Sequence, residues 1–209
     1  MIITKATLAA LFLQCAPQVA PETLNAIVSV ESARNPYVVA NVTDKTSHYF
    51  DEKDKAVSFL NYLDQNNKKY SAGIMQIYSA NFKALNLNNY NVFDPCTNIR
   101  AGAVILKQCW DKAKSDNSDE QKALRDMASC YYSGNFTRGY KKENIDGKSY
   151  IQRIEEKVII QKDGRIPAIR VEGEQKGKQK STVPQSFMVT ENKANEWDVF
   201  HDYPTEKKE

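Results

Sequence analysis

Residues 21–36 of the 209-residue chain have the sequence PETLNAIVSVESARNP. Pro21 suits the first turn of a helix, because a proline there lacks only an amide hydrogen that no helical bond would use. The apolar residues then recur at the spacing of one helix face, at Leu24, Ile27 and Val28. Asn35-Pro36 closes the segment. The stretch therefore predicts an amphipathic helix with a buried face.

Glu31 lies on that same apolar face, because it follows Leu24 by seven residues and Val28 by three. A carboxyl group in such a place is partly desolvated, which raises its pKa. A glutamate whose pKa approaches roughly 6–7 can both hold and release a proton, as general-acid cleavage of a sugar linkage requires. The alternative is that Glu31 turns to solvent, as most glutamates at helix ends do.

Other segments carry the same kind of helical pattern. They lie at residues 8–15, ended by Pro17; at 56–63; from the Asp94 cap and Pro95 to Trp110; at 124–131, ended by Gly134; and at 150–158, while Phe82 and Leu85 are candidates to begin one more. Residues 37–53 are predicted to be a loop with a short extended piece at 37–39, and residues 70–78 a turn with short strands. The predicted class is mainly α, with a small β element at most.

Composition excludes some classes of function. The net charge is +3 with both signs mixed along the chain, which is too mild to indicate nucleic acid but is compatible with an anionic polymer such as a cell wall. No apolar stretch approaches the roughly 20 residues that a membrane span requires. We expect no cofactor.

The chain has four cysteines, at Cys15, Cys96, Cys109 and Cys130. An even count favours two disulfides and an oxidising compartment, and four buried thiols are the alternative. His48 and His201 are far apart and no C-x-x-C pair exists, so no metal site is expected.

The N-terminal residues 1–16 are interpreted as part of the fold. As a signal peptide they would be cut after Ala20, which places Pro21 at the cut and removes Cys15. The predicted domain covers residues 1–160. Residues 161–209 are predicted to be a mostly disordered tail, because Gly173 to Gln185 is polar and lacks periodicity.

One apolar patch interrupts that tail. It comprises Trp197, Val199 and Phe200. The patch either folds back on the domain or docks a partner, and the sequence does not decide between them.

Glu31 begins an ordered series of short motifs. The series is Glu31-Ser32, Asn35-Pro36, SAGIMQI at 71–77, Asp94-Pro95-Cys96, Asn98-Ile99 with Gly102, ASCYYSGN at 128–135, and Tyr150-Ile151 with Arg153-Ile154. In this order it resembles the soluble lytic transglycosylases, relatives of goose-type lysozyme, over about residues 8–158. The long charged helical insert and the Cys-Tyr-x-x-Gly-Asn motif make the resemblance strongest for the lytic transglycosylase component of type IV secretion and conjugation systems.

The resemblance implies a mostly α, lysozyme-like fold with a groove for peptidoglycan glycan strands, and a periplasmic location. It implies that Glu31 is the sole acid/base and that Ser32 holds it in place. The implied substrate-binding residues are Gly73, Met75, Gln76, Tyr131, Tyr132 and Tyr150. For the tyrosines the alternative is core packing with a bonded hydroxyl. Tyr132 departs from the family, which usually has Asn there to bind the N-acetyl sugar.

The implied reaction breaks the linkage between N-acetylmuramic acid and N-acetylglucosamine without water and leaves 1,6-anhydro ends. Asp44, Asp51, Glu52 and Asp54 are predicted to be solvated, so no second acid is expected in an apolar setting. Ordinary glycosidases use two carboxylates. Two rivals remain: a hydrolytic muramidase on the same fold, and a non-catalytic wall-binding assembly factor.

Family members with an N-terminal helix bridged to the Asp-Pro-Cys segment support a disulfide between Cys15 and Cys96. Both residues also lie beside predicted helix ends. Cys109 and Cys130 fall on successive helices that can run antiparallel, so we hypothesise that they form the second pair.

The tail leads to the first prediction. Deleting residues 173–209 should leave glycan cleavage in vitro intact, since the predicted domain ends before them, and should weaken function in the cell. Thermal unfolding and a cleavage assay of the shortened protein test this. Loss of folding on truncation would place the tail within the domain.

Overall fold

The structure is a computed structural model that describes residues 2–143 and 146–158. The predicted tail, with its patch at Trp197, Val199 and Phe200, lies outside these residues. The helices are α1 (Lys5–Cys15), α2 (Pro21–Ser32), α3 (Lys53–Gln65), α4 (Pro95–Asp116), α5 (Glu120–Ser133) and α6 (Tyr150–Lys157). The strands are β1 (Val38–Asn41), β2 (Thr46–Tyr49), β3 (Tyr70–Ala72) and β4 (Ile77–Tyr78). The prediction of a mainly α protein with a small β element is confirmed.

Helix α4 occupies the centre of the fold and packs against α1, α5 and β4. Its start follows the predicted signals, because the Asp94 carboxylate accepts a hydrogen bond from the Thr97 amide at 2.8 Å and Pro95 follows in the first turn. Helix α6 begins with a capping box between Ser149 and Gln152 and packs against α2 and α5. In the part of the chain described, no helix combines the length and apolar character that a bilayer crossing demands.

The four strands form one antiparallel sheet in the order β2-β1-β3-β4. Helix α3 packs against β1, whose Val38 and Val39 are buried. The tight turn between β3 and β4 covers residues 73–76 and faces the end of α2 and the start of α4. The sheet therefore places the turn at residues 73–76 where the end of α2 meets the start of α4.

Two segments differ from their predictions. Strand β2 lies where a loop was predicted, because its largely exposed residues carry no apolar alternation. Backbone pairing with β1 and the contact of the His48 ring with Phe59 of α3 hold the strand. No helix begins at Phe82 and Leu85; a 3-10 turn at Ser79–Asn81 runs into further turns instead. Asn side chains cause this, since the amide of Asn91 donates to the Asn86 carbonyl and thereby satisfies backbone outside a helix.

Two disulfides fasten the central helix to its neighbours. Cys15 at the end of α1 is bonded to Cys96 in the first turn of α4, with their Cα atoms 5.4 Å apart. Cys109 within α4 is bonded to Cys130 of α5, with their Cα atoms 5.6 Å apart. These are the two pairs that the sequence hypothesis names. Helix α1, with Leu8 and Phe12 buried, is thereby tied into the core.

The disulfides should stabilise the fold unequally, because a crosslink that closes a longer loop restricts the unfolded chain more. For separations of 81 and 21 residues, loop-closure entropy corresponds to about 4.5 and about 3.3 kcal/mol. Replacing Cys15 and Cys96 by alanine should therefore cost more free energy of unfolding than replacing Cys109 and Cys130. Urea denaturation of the two double variants measures both costs, and the reverse order would contradict the prediction.

Candidate active site

Glu31 is the penultimate residue of α2 and is partly buried. The helix ends directly after it, because Ala33 adopts a left-handed conformation with φ of 50°. The hydroxyl of Tyr150, at the start of α6, donates a hydrogen bond of 2.6 Å to Glu31 Oε1. The structure thus places Glu31 and Tyr150, two of the predicted site residues, in direct contact.

Desolvation of its carboxyl group raises the pKa of Glu31 to about 7, and this effect outweighs the hydrogen bond from Tyr150 and the positive charge of Arg153, which both lower that pKa. Burial, followed by the negative charge of Glu31, raises the pKa of Tyr131 well above its usual value. The same causes raise the pKa of Tyr150. Near neutral pH the site therefore has a carboxyl that can hold or release a proton, beside phenols that stay protonated.

The turn at residues 73–76 is shaped by Asn98 of α4. The Asn98 side chain accepts a hydrogen bond from the Met75 amide at 2.8 Å and donates to the Ala72 carbonyl at 3.1 Å. Gly73 has φ of +85°, and a Cβ atom there would lie 2.1 Å from Asn98 Nδ2. Gly73 therefore has both the backbone freedom and the space that this turn requires.

Two predicted site residues fasten the same turn to the helices. The buried Ser32 hydroxyl donates to the Ile74 carbonyl at 2.8 Å, and the Tyr131 hydroxyl donates to the Met75 carbonyl at 2.6 Å. Ser32 was expected to hold Glu31. The hydrogen bond to Ile74 joins the last residue of α2 to the turn, so Ser32 fixes the backbone that carries Glu31.

Met75 and Gln76 occupy different surroundings. Met75 is fully buried, and a Cβ atom on Gly102 would lie 2.5 Å from its sulfur. Gln76 is partly exposed, and its side-chain amide donates to the carbonyl oxygens of Val38 and Gly73. Of these two residues, Gln76 is the one with surface available to a substrate.

Tyr132 and Tyr150 stack with ring centroids 4.5 Å apart and an interplanar angle of 15°. The Tyr132 hydroxyl donates to Glu143 Oε1, and Arg153 Nη2 donates to Glu143 Oε2. Glu143 is a second acid that is withdrawn from solvent, since it is only 2% exposed, and it corrects the prediction that Glu31 is alone in this respect. Glu143 was missed because Lys141-Lys142-Glu143 has the composition of a solvated surface. The one sequence feature that relates to the burial of Glu143 is its partner Arg153, which belongs to the ordered series of motifs.

An open cleft of about 810 Å³ lies elsewhere, between α3 and residues 79–90. It shares no lining residue with the cluster around Glu31, and its carboxyl, Asp64, already accepts hydrogen bonds from Tyr70 and Asn89. Glu31, rather than this cleft, is therefore the candidate for the chemistry. Within residues 2–143 and 146–158, no group of three or more His, Cys, Asp and Glu side chains is placed to hold a metal ion.

The raised pKa predicts how Glu31 affects stability. The folded protein binds the Glu31 proton more tightly than the unfolded chain does. Tighter proton binding adds to the free energy of unfolding. This contribution of Glu31 is fully present below pH 4.5 and is lost as the pH rises through about 7. Glu31→Gln should therefore raise the free energy of unfolding more at pH 8 than at pH 4, by at most about 3 kcal/mol.

Urea denaturation at both pH values measures this difference. The matched control is Glu22→Gln, at an exposed position in the first turn of the same helix, where no gain at pH 8 is expected. An equal effect of Glu31→Gln at pH 4 and pH 8 would show that Glu31 is not desolvated.

Comparisons with known proteins give relatives of this chain. Over 142 residues the chain is 38% identical to the Type IV secretion system protein virB1 of Brucella abortus, covering 68% of this chain and 59% of that protein. Over 143 residues it is 33% identical to the Protein virB1 of Agrobacterium fabrum, covering 68% and 55%. The chain thus spans somewhat more than half the length of these relatives. No solved structure gives a significant match.

The family model described as the Transglycosylase SLT domain matches residues 10–153. That range begins before the first disulfide cysteine and ends at Arg153, so it contains Glu31, Tyr150 and the turn at residues 73–76. With more than half of the chain matched, the protein belongs to the Transglycosylase SLT domain family.

Proposed function

We propose that the protein is a peptidoglycan lytic transglycosylase that cleaves the linkage between N-acetylmuramic acid and N-acetylglucosamine. The observation that carries the proposal is Glu31, a desolvated carboxyl with a pKa of about 7 and one phenolic donor, Tyr150. Membership of the Transglycosylase SLT domain family supports the same reaction. The implied substrate is a glycan strand of the cell wall.

In the first step, Glu31 protonates the glycosidic oxygen as the bond to the muramic acid C1 breaks. Its pKa suits the transfer, because an acid works best when its pKa lies near the operating pH. The carboxylate that results keeps the hydrogen bond from Tyr150, which stabilises the negative charge. The N-acetyl group of the substrate assists at the positive C1 centre.

In the second step, the Glu31 carboxylate removes the proton from the 6-hydroxyl of the same muramic acid. The 6-oxygen then bonds to C1 and forms the 1,6-anhydro end. Glu31 returns to its protonated form and no water is consumed. A single carboxyl group can therefore complete the cycle.

Glu143 is poorly suited to be the second carboxylate of an ordinary glycosidase. Both of its oxygens accept hydrogen bonds, from Tyr132 and Arg153, and it is almost fully buried. A carboxylate held in this way is a weak nucleophile and a weak base. This favours internal capture by the 6-hydroxyl over the two-carboxylate mechanism.

We infer that the protein acts in the periplasm and opens the wall for a type IV secretion or conjugation apparatus. The named relatives, such as the Type IV secretion system protein virB1 of Brucella abortus, support this role. The two disulfides suit an oxidising compartment. The segment around Trp197, Val199 and Phe200 is the proposed contact with the apparatus.

The reaction is tested with Glu31→Gln, which keeps the size of the side chain but cannot deliver a proton. Because one group serves both steps, cleavage of purified wall sacculi should fall by about 10⁴-fold or more. Mass spectrometry of the wild-type products should find anhydro ends, each lighter by one water than a hydrolysis product. Glu22→Gln, on the exposed side of the same helix, should keep full activity.

Each other outcome points to a different function. Reducing ends alone would make the protein a hydrolytic muramidase that still uses Glu31. No cleavage by the wild type, with retained binding to sacculi, would indicate the assembly factor, and Tyr132→Asn would then be the variant to test for restored activity. An active Glu31→Gln protein would overturn the proposal.

A further inference from the structure

Glu143 is a buried carboxylate that the proposed reaction does not use. It precedes α6, and Lys142 beside it forms an isolated β-bridge with Ser149, the N-cap of that helix. Its backbone amide donates to the Lys148 carbonyl at 3.0 Å. Its side chain is bonded on one oxygen to Tyr132 of α5 and on the other to Arg153 of α6. Glu143 therefore joins the two helices that contribute the tyrosines of the site.

Two lines of contact lead from Glu143 to Glu31. The first is mechanical: Tyr132 is bonded to Glu143 and stacks on Tyr150, which is bonded to Glu31. The second is electrostatic: Arg153 follows Tyr150 by three residues, so the two side chains emerge from neighbouring turns of α6.

We propose that Glu143 is a positioning residue that keeps Glu31 able to carry a proton at neutral pH, by pairing with Arg153 and by holding the stacked tyrosines in place. The inference deepens the proposed function, because it names the residue that regulates the acid. It makes Glu143 part of the site without giving it a contact with the substrate.

The titratable and charged groups around Glu31 influence its pKa. The titratable and charged groups that act on it are Tyr131 from α5, and Tyr150 and Arg153 from α6. The turn at residues 73–76 contributes none, since its sequence is Gly-Ile-Met-Gln. Among these groups Arg153 is the cation, and it lowers the pKa of Glu31. Its effect on Glu31 therefore depends on whether Glu143 neutralises it.

The two partners should consequently have opposite effects. Glu143→Gln leaves the Arg153 charge uncompensated and should move the titration of Glu31 to lower pH. Arg153→Gln removes the cation and leaves the Glu143 charge, so it should move that titration to higher pH. Each displacement should be about 0.5–1 on the pH scale, since the charges act at short range in a partly desolvated site.

The experiment follows the Glu31 carboxyl by carbon-13 NMR in the full-length protein, labelled at glutamate, with Glu31→Gln to assign the signal. The matched control is Asp126→Asn, which removes another buried carboxylate from α5; its partners are Lys122, Tyr140 and Asn117. The control should leave the Glu31 titration in place. Tyr132→Phe keeps all charges and should also leave it in place, while it lowers kcat about tenfold.

Cleavage gives the second readout. Activity requires protonated Glu31, so the alkaline limb of the kcat/KM profile should move to lower pH in Glu143→Gln and to higher pH in Arg153→Gln. Shifts in the same direction, or no shift in the NMR titration, would overturn the inference. The NMR result is independent of turnover. If the Glu31 titration shifts in opposite directions in the two variants but the wild-type protein cleaves no glycan, the proposed function is wrong and this inference still holds.

A further variant decides the case in which Glu143→Gln does not fold. The double variant Glu143→Gln/Arg153→Gln removes both charges of the pair, so no buried charge is left without a partner. Arg153→Gln alone should then titrate Glu31 at higher pH than the double variant does, because only the single variant retains the Glu143 charge. Equal titrations in these two proteins would overturn the inference.

Discussion

The hydrogen bond between Tyr150 and Glu31 joins residues that are 119 positions apart in the chain, and it forms only when the end of α2 and the start of α6 lie side by side. Helix α2 must place Glu31 in its last turn, and α6 must begin at Tyr150 while packed against α2. The capping box at Ser149 determines where α6 begins. A shift of either helix by one residue would turn one of the two side chains away, since successive residues point about 100° apart around a helix.

The other contacts of the site are arranged around the same pair. Ser32, Tyr131 and Asn98 come from three different helices, and each bonds to backbone of the turn at residues 73–76. These side-chain bonds to backbone hold the turn from outside, while Gly73 supplies the conformation and the space that it needs. The turn contacts the end of α2 through the Ser32 hydroxyl, next to Glu31, whose pKa is raised mainly by desolvation. Packing and acid strength are thus set by one set of contacts.

Much of this arrangement could be predicted from the sequence because its signals are local. The offsets of Glu31 from Leu24 and Val28 placed it on an apolar face, and Asp94-Pro95 marked the start of α4. Strand β2 gave no signal, because its largely exposed residues carry no apolar alternation and its pairing with β1 depends on tertiary structure.

Glu143 could not be predicted for a similar reason. Its surroundings come from Tyr132 and Arg153, which lie 11 and 10 residues away on different helices. Nothing in Lys-Lys-Glu indicates a buried carboxylate. Ser32 shows the same limit, since the motif located the residue but the partner of its hydroxyl, the Ile74 carbonyl, depends on tertiary structure.

The close packing of Met75 against Gly102 has a consequence for how the protein can change. A Cβ atom at position 102 would lie 2.5 Å from the Met75 sulfur and 3.2 Å from its Cβ, and Met75 is fully buried with no space into which to withdraw. A larger residue at position 102 therefore requires a smaller one at position 75. Substitutions at the two positions are therefore coupled physically: each single change gives an overpacked or a hollow core, and only the paired exchange keeps the volume constant.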